Sequence, residues 1–262
     1  RTTLNGEGLQ HQDGHSHVQA NLIPNCVTYD PTYGYEVAVI VQDGLRRMYA
    51  ENENIFYYLT LMNENYQHPA MPESKDVAEQ IIKGIYKLER IEAQGKAKSN
   101  VQLMGSGTIL NEVRKAAQIL SKDYNISSDV YSVTSFNELA REGQDVVRWN
   151  MLNPEAKPVT AHIGQVITKD AGPAIAATDY IKGYSDQVRA FIDTDYRCLG
   201  TDGFGRSDSR ANLRTHFEVN AAYVVVASLY ELSKRGEIEK SVVTQAIKHF
   251  DIDTEKLNPL YA

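Results

Sequence analysis

Cysteine is scarce in this chain: Cys26 and Cys198 are its only two, and they stand far apart. That excludes a disulfide framework, and both are expected to be reduced, buried thiols. An excess of basic charge is missing as well. Lys and Arg total 27 against 34 Asp and Glu, for a net charge of -7 and a pI near 5.5. Nucleic acid is a poor partner for such a chain, because binding it rests on clustered cations that neutralise phosphates. No apolar run approaches the roughly 18 residues of a membrane span. Arg1-Thr2-Thr3-Leu4-Asn5 lacks the apolar segment of a signal peptide, so the expected location is the cytosol. Repeats and low-complexity stretches are lacking too. What remains is ordinary: 42% hydrophobic and 23% charged residues over 262 positions, enough for one large or two modest domains.

The most informative segment is Gly6-Glu7-Gly8-Leu9-Gln10-His11-Gln12-Asp13-Gly14-His15-Ser16-His17, with three of the seven histidines and two carboxylates in a stretch too glycine-rich for a helix. An imidazole near pH 7 can take a proton, give one or bind a metal, which marks a site. The H-x3-H-x-H spacing admits a shared metal ion. It is not H-E-x-x-H, however, and Cys26 belongs to no paired-Cys motif. The other readings for His11, His15 and His17 are loop histidines bonding backbone, and substrate contact or proton transfer. The loop comes within ten residues of an opening without Met, so the chain reads like a piece of a longer polypeptide.

Periodicity predicts an α/β fold. A strand is expected at Ile23 to Tyr29, a turn at Asp30-Pro31, and a helix from Tyr33 to Tyr49 with Val37, Ile40, Val41, Leu45 and Met48 in one stripe. The apolar run Asn54 to Met62 reads as a parallel strand covered on both faces. Asn63 to Lys75, with two prolines and many polar residues, reads as a domain boundary. Further strands are expected at Gly84 to Glu92, Val101 to Gly105, Asp129 to Thr134, His162 to Ile167 and Tyr196 to Gly200. Helices are expected at Ile109 to Lys122, Tyr180 to Phe191, Asn220 to Ser233 and Glu239 to Phe250. Asn220 to Ser233 is apolar nearly all round, which calls for burial on more than one side, in a core or at a subunit interface.

Two loops carry weaker signals. Gly105-Ser106-Gly107 joins a strand to a helix and invites an anion at the helix start. Leu110 stands where a dinucleotide fingerprint has its third glycine, and a tight turn is the plainer reading. Thr201 to Arg210 (TDGFGRSDSR) follows a strand and precedes a helix capped by Ser207 or Asp208. It is a site rim or interface, or else a turn held by Arg-Asp pairs.

Gly6 to His17, the IPNCVTYDP stretch from Ile23 to Pro31, and TDGFGRSDSR together resemble the C-terminal part of the homodimeric bacterial pyruvate dehydrogenase first component, a transketolase-like thiamine-diphosphate enzyme. The resemblance runs from Arg1 to Ala262. It implies that residues 1–71 end a pyrimidine-binding domain, and that 72–262 form a transketolase-like C-terminal domain with a mostly parallel mixed sheet flanked by helices. It also implies decarboxylation of pyruvate, acetyl transfer to lipoyl groups of an acetyltransferase, and a homodimer. His11 matches an active-site histidine that contacts the pyruvate-derived group. Asp13-Gly14-His15-Ser16-His17 fits the family's E-D-G-x-x-H pattern with Gln12 in place of Glu, making Asp13 and His17 substrate-channel candidates. Magnesium and diphosphate are held in that family by a G-D-G motif, which this chain lacks, and by residues of another domain. The cofactor ligands are therefore expected outside this chain, which is expected to be inactive by itself. Two rivals are a structural dimerisation module and a sugar-transferring transketolase relative.

Overall fold

The computed structural model of the chain describes residues 1–97 and 99–262. After a 3-10 turn at Leu9–His11 and the short helix α1 (Ser16–Ala20), strands β1 (Cys26–Tyr29) and β2 (Phe56–Leu59) pair in parallel, Cys26 opposite Phe56 and Tyr29 opposite Leu59. Helix α2 (Gly34–Leu45) makes the crossover and closes in a single π turn at Arg46–Ala50. Its start is fixed by Glu36, whose buried carboxylate reaches back to the amides of Thr32 and Tyr33. The same carboxylate accepts the hydroxyls of Tyr86 and Ser132, both at 2.6 Å, and so bolts this unit to the second sheet.

The expected apolar stripe of α2 is only partly used. Ile40 is buried, whereas Val41 and Leu45 are 45% and 54% exposed. Nor is the run Asn54 to Met62, of which only Phe56–Leu59 forms the strand, covered on both faces, since Phe56 is 44% and Leu61 69% exposed. A two-stranded sheet with one crossover helix has too few neighbours to cover both its sides.

Helix α3 (Val77–Lys83) leads into the five-stranded sheet, ordered β3-β5-β4-β6-β7. Its strands are β3 (Ile85–Ile91), β4 (Ser99–Gly105), β5 (Ile126–Val133), β6 (Ala174–Ala177) and β7 (Tyr196–Leu199). Only β3 runs antiparallel to its neighbour, as expected of a mostly parallel mixed sheet. Along β4 successive side chains alternate between faces. Leu103 packs with α4 (Ile109–Tyr124) and α9 (Ala221–Lys234), and Met104 packs with α5 (Phe136–Leu152) and the Tyr184 side. Helix α9 finds its second side within the chain, between α4 and α10 (Lys240–His249). Plain core burial therefore accounts for its apolar character.

Two element expectations fail, and one strand is additional. His162–Val166 is a helix, α6, not a strand. The strand beside β4 is Ala174–Ala177, three alanines with little β propensity of their own and one isoleucine, held by close burial between layers. Between Tyr180 and Phe191 there is only α7 (Lys182–Asp186) and one 3-10 turn. Helix α5 adds an element beyond those expected, capped by Ser135, whose hydroxyl accepts the Glu138 amide. Helix α8 (Arg210–His216) is capped by Ser209, not by Ser207 or Asp208. Both cysteines are free; Cys26 is buried and Cys198 only half-buried.

A candidate substrate pocket where two sheets meet

The residues just past five strands converge. Asp30 follows β1, Thr60 follows β2, Ser106 follows β4, Thr134 follows β5 and Thr178 follows β6. The Asp30 amide donates to the Thr134 carbonyl at 2.8 Å, and its two carboxyl oxygens accept the hydroxyls of Thr60 (2.7 Å) and Ser106 (2.8 Å). Ser106 lies 3.0 Å from the Thr178 hydroxyl. Burial pushes the Asp30 carboxyl up to about 7, against the two hydroxyl donors and with Asp179 adding to the rise. In parallel sheets, ligands collect at these carboxyl ends.

Gly105-Ser106-Gly107 thereby receives an internal carboxylate where the sequence suggested an anion. Gly107 has φ +51°, and a Cβ on it would stand 2.9 and 3.0 Å from the Asp30 oxygens. Gly107→Ala should destabilise the chain by about 1–3 kcal/mol through strain and crowding, read as a lower urea midpoint. A midpoint equal to the wild type would contradict this packing.

A cavity of about 350 Å³ opens beside this hub, walled by Thr3, His11 and Asp13 from the first loop, by Thr60 and Asn63 after β2, and by Tyr180 after β6. His11 sits on the 3-10 turn, exposed, where its ring can exchange a proton with a ligand. Asp13 also lines the cavity, but its carboxylate folds back on α1, accepting the amides of His15 (2.9 Å) and Ser16 (3.0 Å) and the Ser16 hydroxyl. Desolvation opposes its ionisation, and these bonds outweigh that, leaving it below the usual carboxylate range.

His17 lies behind the wall. It is fully buried, with Nε2 2.9 Å from the Thr60 hydroxyl and its ring stacked on Tyr184 at 4.9 Å. Tyr180 and Tyr58 meet it edge-on. Burial holds its pKa down to about 4, so it is neutral at pH 7. His15 turns elsewhere: its Nδ1 accepts from the Arg1 guanidinium at 3.1 Å. The three loop histidines thus face three environments. No group of three or more His, Cys, Asp or Glu poised for a metal ion occurs among the described residues.

The first loop is held from the far end of the chain. Arg1 donates to the carbonyls of Gln12, Thr201 and Gly203, and the Gly6 amide donates to the Asp208 carbonyl. Arg210 and Arg214 reach Thr3, Glu64 and Glu112 rather than aspartates of their own loop. The loop Thr201 to Arg210 is therefore the outer brace of the histidine segment. A larger cleft of about 660 Å³ lies along the β7 edge, but its cations are mostly spent on neighbouring carboxylates, such as Arg197 and Lys234 on Glu231.

Residues 84–220 match the family described as the transketolase-like TK C-terminal domain. The chain belongs to the transketolase-like family. Residues 1–69 match the pyruvate dehydrogenase E1 component middle domain. Among curated relatives, the pyruvate dehydrogenase E1 component of Escherichia coli K12 is 63% identical over 100% of the chain. Those of Haemophilus influenzae and Pseudomonas aeruginosa are 57% and 56% identical over 100% and 99%. The chain spans 29% of the length of each. Over its length it resembles the C-terminal part of these E1 components. Among solved structures, transketolase from Pichia stipitis superposes with TM-score 0.61 at 18% identity, covering 88% of this chain and 29% of that one. Transketolase from Campylobacter jejuni gives 0.58 at 18%, covering 87% and 30%. These likenesses bear on the fold, which is the expected α/β one.

Thr60, Thr178 and Tyr180 carry no signal in the sequence, and Ser106 stands out only as part of a candidate anion loop. Asp30-Pro31 reads locally as a turn, and only the three-dimensional meeting of five strand ends makes Asp30 a hub.

Proposed function

We propose that this chain forms one wall of the active site of a pyruvate dehydrogenase E1 component, which decarboxylates pyruvate and passes the acetyl unit to lipoyl groups of an acetyltransferase. Residues 1–71 would end its pyrimidine-binding domain and 72–262 form its C-terminal domain, within a cytoplasmic homodimer. The observation that carries this reading is 63% identity to an E1 component across the whole chain, against 18% to the transketolases, which favours the oxo-acid branch over sugar transfer.

Thiamine diphosphate with Mg2+ would supply the electron sink for loss of CO2. The pocket residues do not fit as its holders: a magnesium ion asks for octahedral oxygen ligands, and the one pocket carboxylate, Asp13, is spent on α1. We propose that its ligands lie outside this chain.

What the chain offers is a substrate side. His11 faces the cavity with a ring free to donate a hydrogen bond to an oxo-acid oxygen or to move a proton. Asp13 shapes the loop that presents it. His17, one hydrogen bond behind Thr60, acts as a neutral partner to the pocket wall. Changing His11→Ala in the full-length E1 component should lower kcat about 100-fold or more while moving the cofactor Kd little. Equal losses in both would contradict the substrate-side role.

A further inference from the structure

We infer that Asp30 decides which nitrogen of His17 carries the proton, acting through the Thr60 hydroxyl. Thr60 has one proton to give and, with the Tyr29 carbonyl distant at 3.5 Å, two close neighbours, Asp30 Oδ1 at 2.7 Å and His17 Nε2 at 2.9 Å. An ionised carboxylate only accepts. The hydroxyl therefore donates to Asp30 and offers its lone pair to His17, which must carry its proton on Nε2. Nδ1 is left with a lone pair and has no hydrogen-bond partner among the described residues.

The arrangement has little freedom. Asp30 is fully buried, and its second oxygen is taken by Ser106, which touches Thr178. Its backbone carbonyl accepts the Gly107 amide at 3.2 Å. The imidazole cannot turn over without displacing Tyr184, stacked at 23°, and Tyr180, at 88°. The charged groups facing the pair are Asp179, the Arg1 amino group 3.0 Å from Asp179, and Asp13; Tyr180 and Tyr184, pushed well above their ordinary values by burial, stay neutral. Burial lifts Asp30 and lowers His17, so His17 stays neutral at pH 7 while Asp30 titrates near it. Carboxylates hydrogen-bonded to an imidazole fix its tautomer in this way at metal and catalytic sites. Here the carboxylate acts through a hydroxyl.

Asp30 is on this account a positioning residue. The tautomer assignment stands on the geometry alone, and its effect on turnover rests on the substrate-side reading above. The test is long-range proton-nitrogen correlation on the 262-residue chain labelled with 15N-histidine at pH 8, where Asp30 is ionised, with His17 assigned through the signals missing in His17→Gln. Wild type and Thr60→Ser should show a protonated Nε2 and a bare Nδ1. Thr60→Val, which keeps the shape and loses the hydroxyl, and Asp30→Asn, which can donate to Thr60, should both move proton density to Nδ1. A wild-type chain protonated on Nδ1 overturns the inference without any variant, as does an unchanged Nε2 proton in both variants.

In the full-length E1 component, Thr60→Val should lower kcat about tenfold or more with a smaller change in KM for pyruvate, and Thr60→Ser should recover most of the loss. A shifted tautomer with unchanged kcat supports the relay and removes the substrate-side role of His17.

Discussion

Glu36→Ala is expected to cost the chain about 3–5 kcal/mol. The Glu36 carboxylate is fully buried, and burial raises its pKa above the ordinary value while four donors hold it down: the hydroxyls of Ser132 and Tyr86 and the amides of Tyr33 and Thr32. Those donors come from the start of α2, from β3 and from β5, so one side chain joins the two sheets. Truncation leaves the Ser132 hydroxyl and the two amides unsatisfied in a dry site, while the Tyr86 hydroxyl keeps Tyr35 as a partner, and the penalty for such orphans exceeds the worth of the bonds themselves. Glu36→Gln should cost less, about 1–3 kcal/mol, because the shape is kept and one amide oxygen still accepts. The urea midpoint at constant slope reads both. A loss below about 1 kcal/mol for Glu36→Ala would show that water or repacking satisfies the donors.

The second large effect is a pH dependence that the wild type conceals. The folded Asp30 has a pKa of about 7 against 3.8 unfolded. Between those values the native state keeps a proton that the unfolded chain has lost, so stability falls as pH rises. His17 runs the other way. Its folded value of about 4 lies below 6.5, the unfolded chain holds the extra proton, and stability rises with pH over that span. At about 1.4 kcal/mol per pH unit each contribution amounts to about 3–4 kcal/mol, and from pH 4 to 6.5 they nearly cancel. Relative to wild type, His17→Gln should lose about 3 kcal/mol between pH 4 and 7, and Asp30→Asn should gain about 3 kcal/mol between pH 4 and 6.5. Taking differences removes the shared acid losses of Asp13, Asp129 and Asp179, whose pKa values are all lowered. Two variants whose stability parallels the wild type at every pH would contradict both assignments.

The amphipathic helices α4 and α10 and the strands β3, β4, β5 and β7 were legible because their periodicity or β-branched content is local. Strand β6 was not, since Ala174-Ile175-Ala176-Ala177 draws its conformation from the layers on either side. His162–Val166 misled in the opposite sense, a short apolar run that reads as strand and folds as one helical turn. The histidine loop announced itself by composition, yet composition could not separate an exposed His11 from a His17 sealed among tyrosines. The tyrosines that seal His17, Tyr58, Tyr180 and Tyr184, stand about 40 to 170 residues away in sequence. The family came from motif resemblance, and the two-sheet hub from the folded geometry alone.

The central claim, that this chain supplies a substrate wall and other residues supply the cofactor site, is tested most directly by calorimetric titration of the 262-residue chain with thiamine diphosphate and Mg2+, followed by a pyruvate decarboxylation assay. No saturable heat and no CO2 release are expected. Tight binding accompanied by decarboxylation would contradict it.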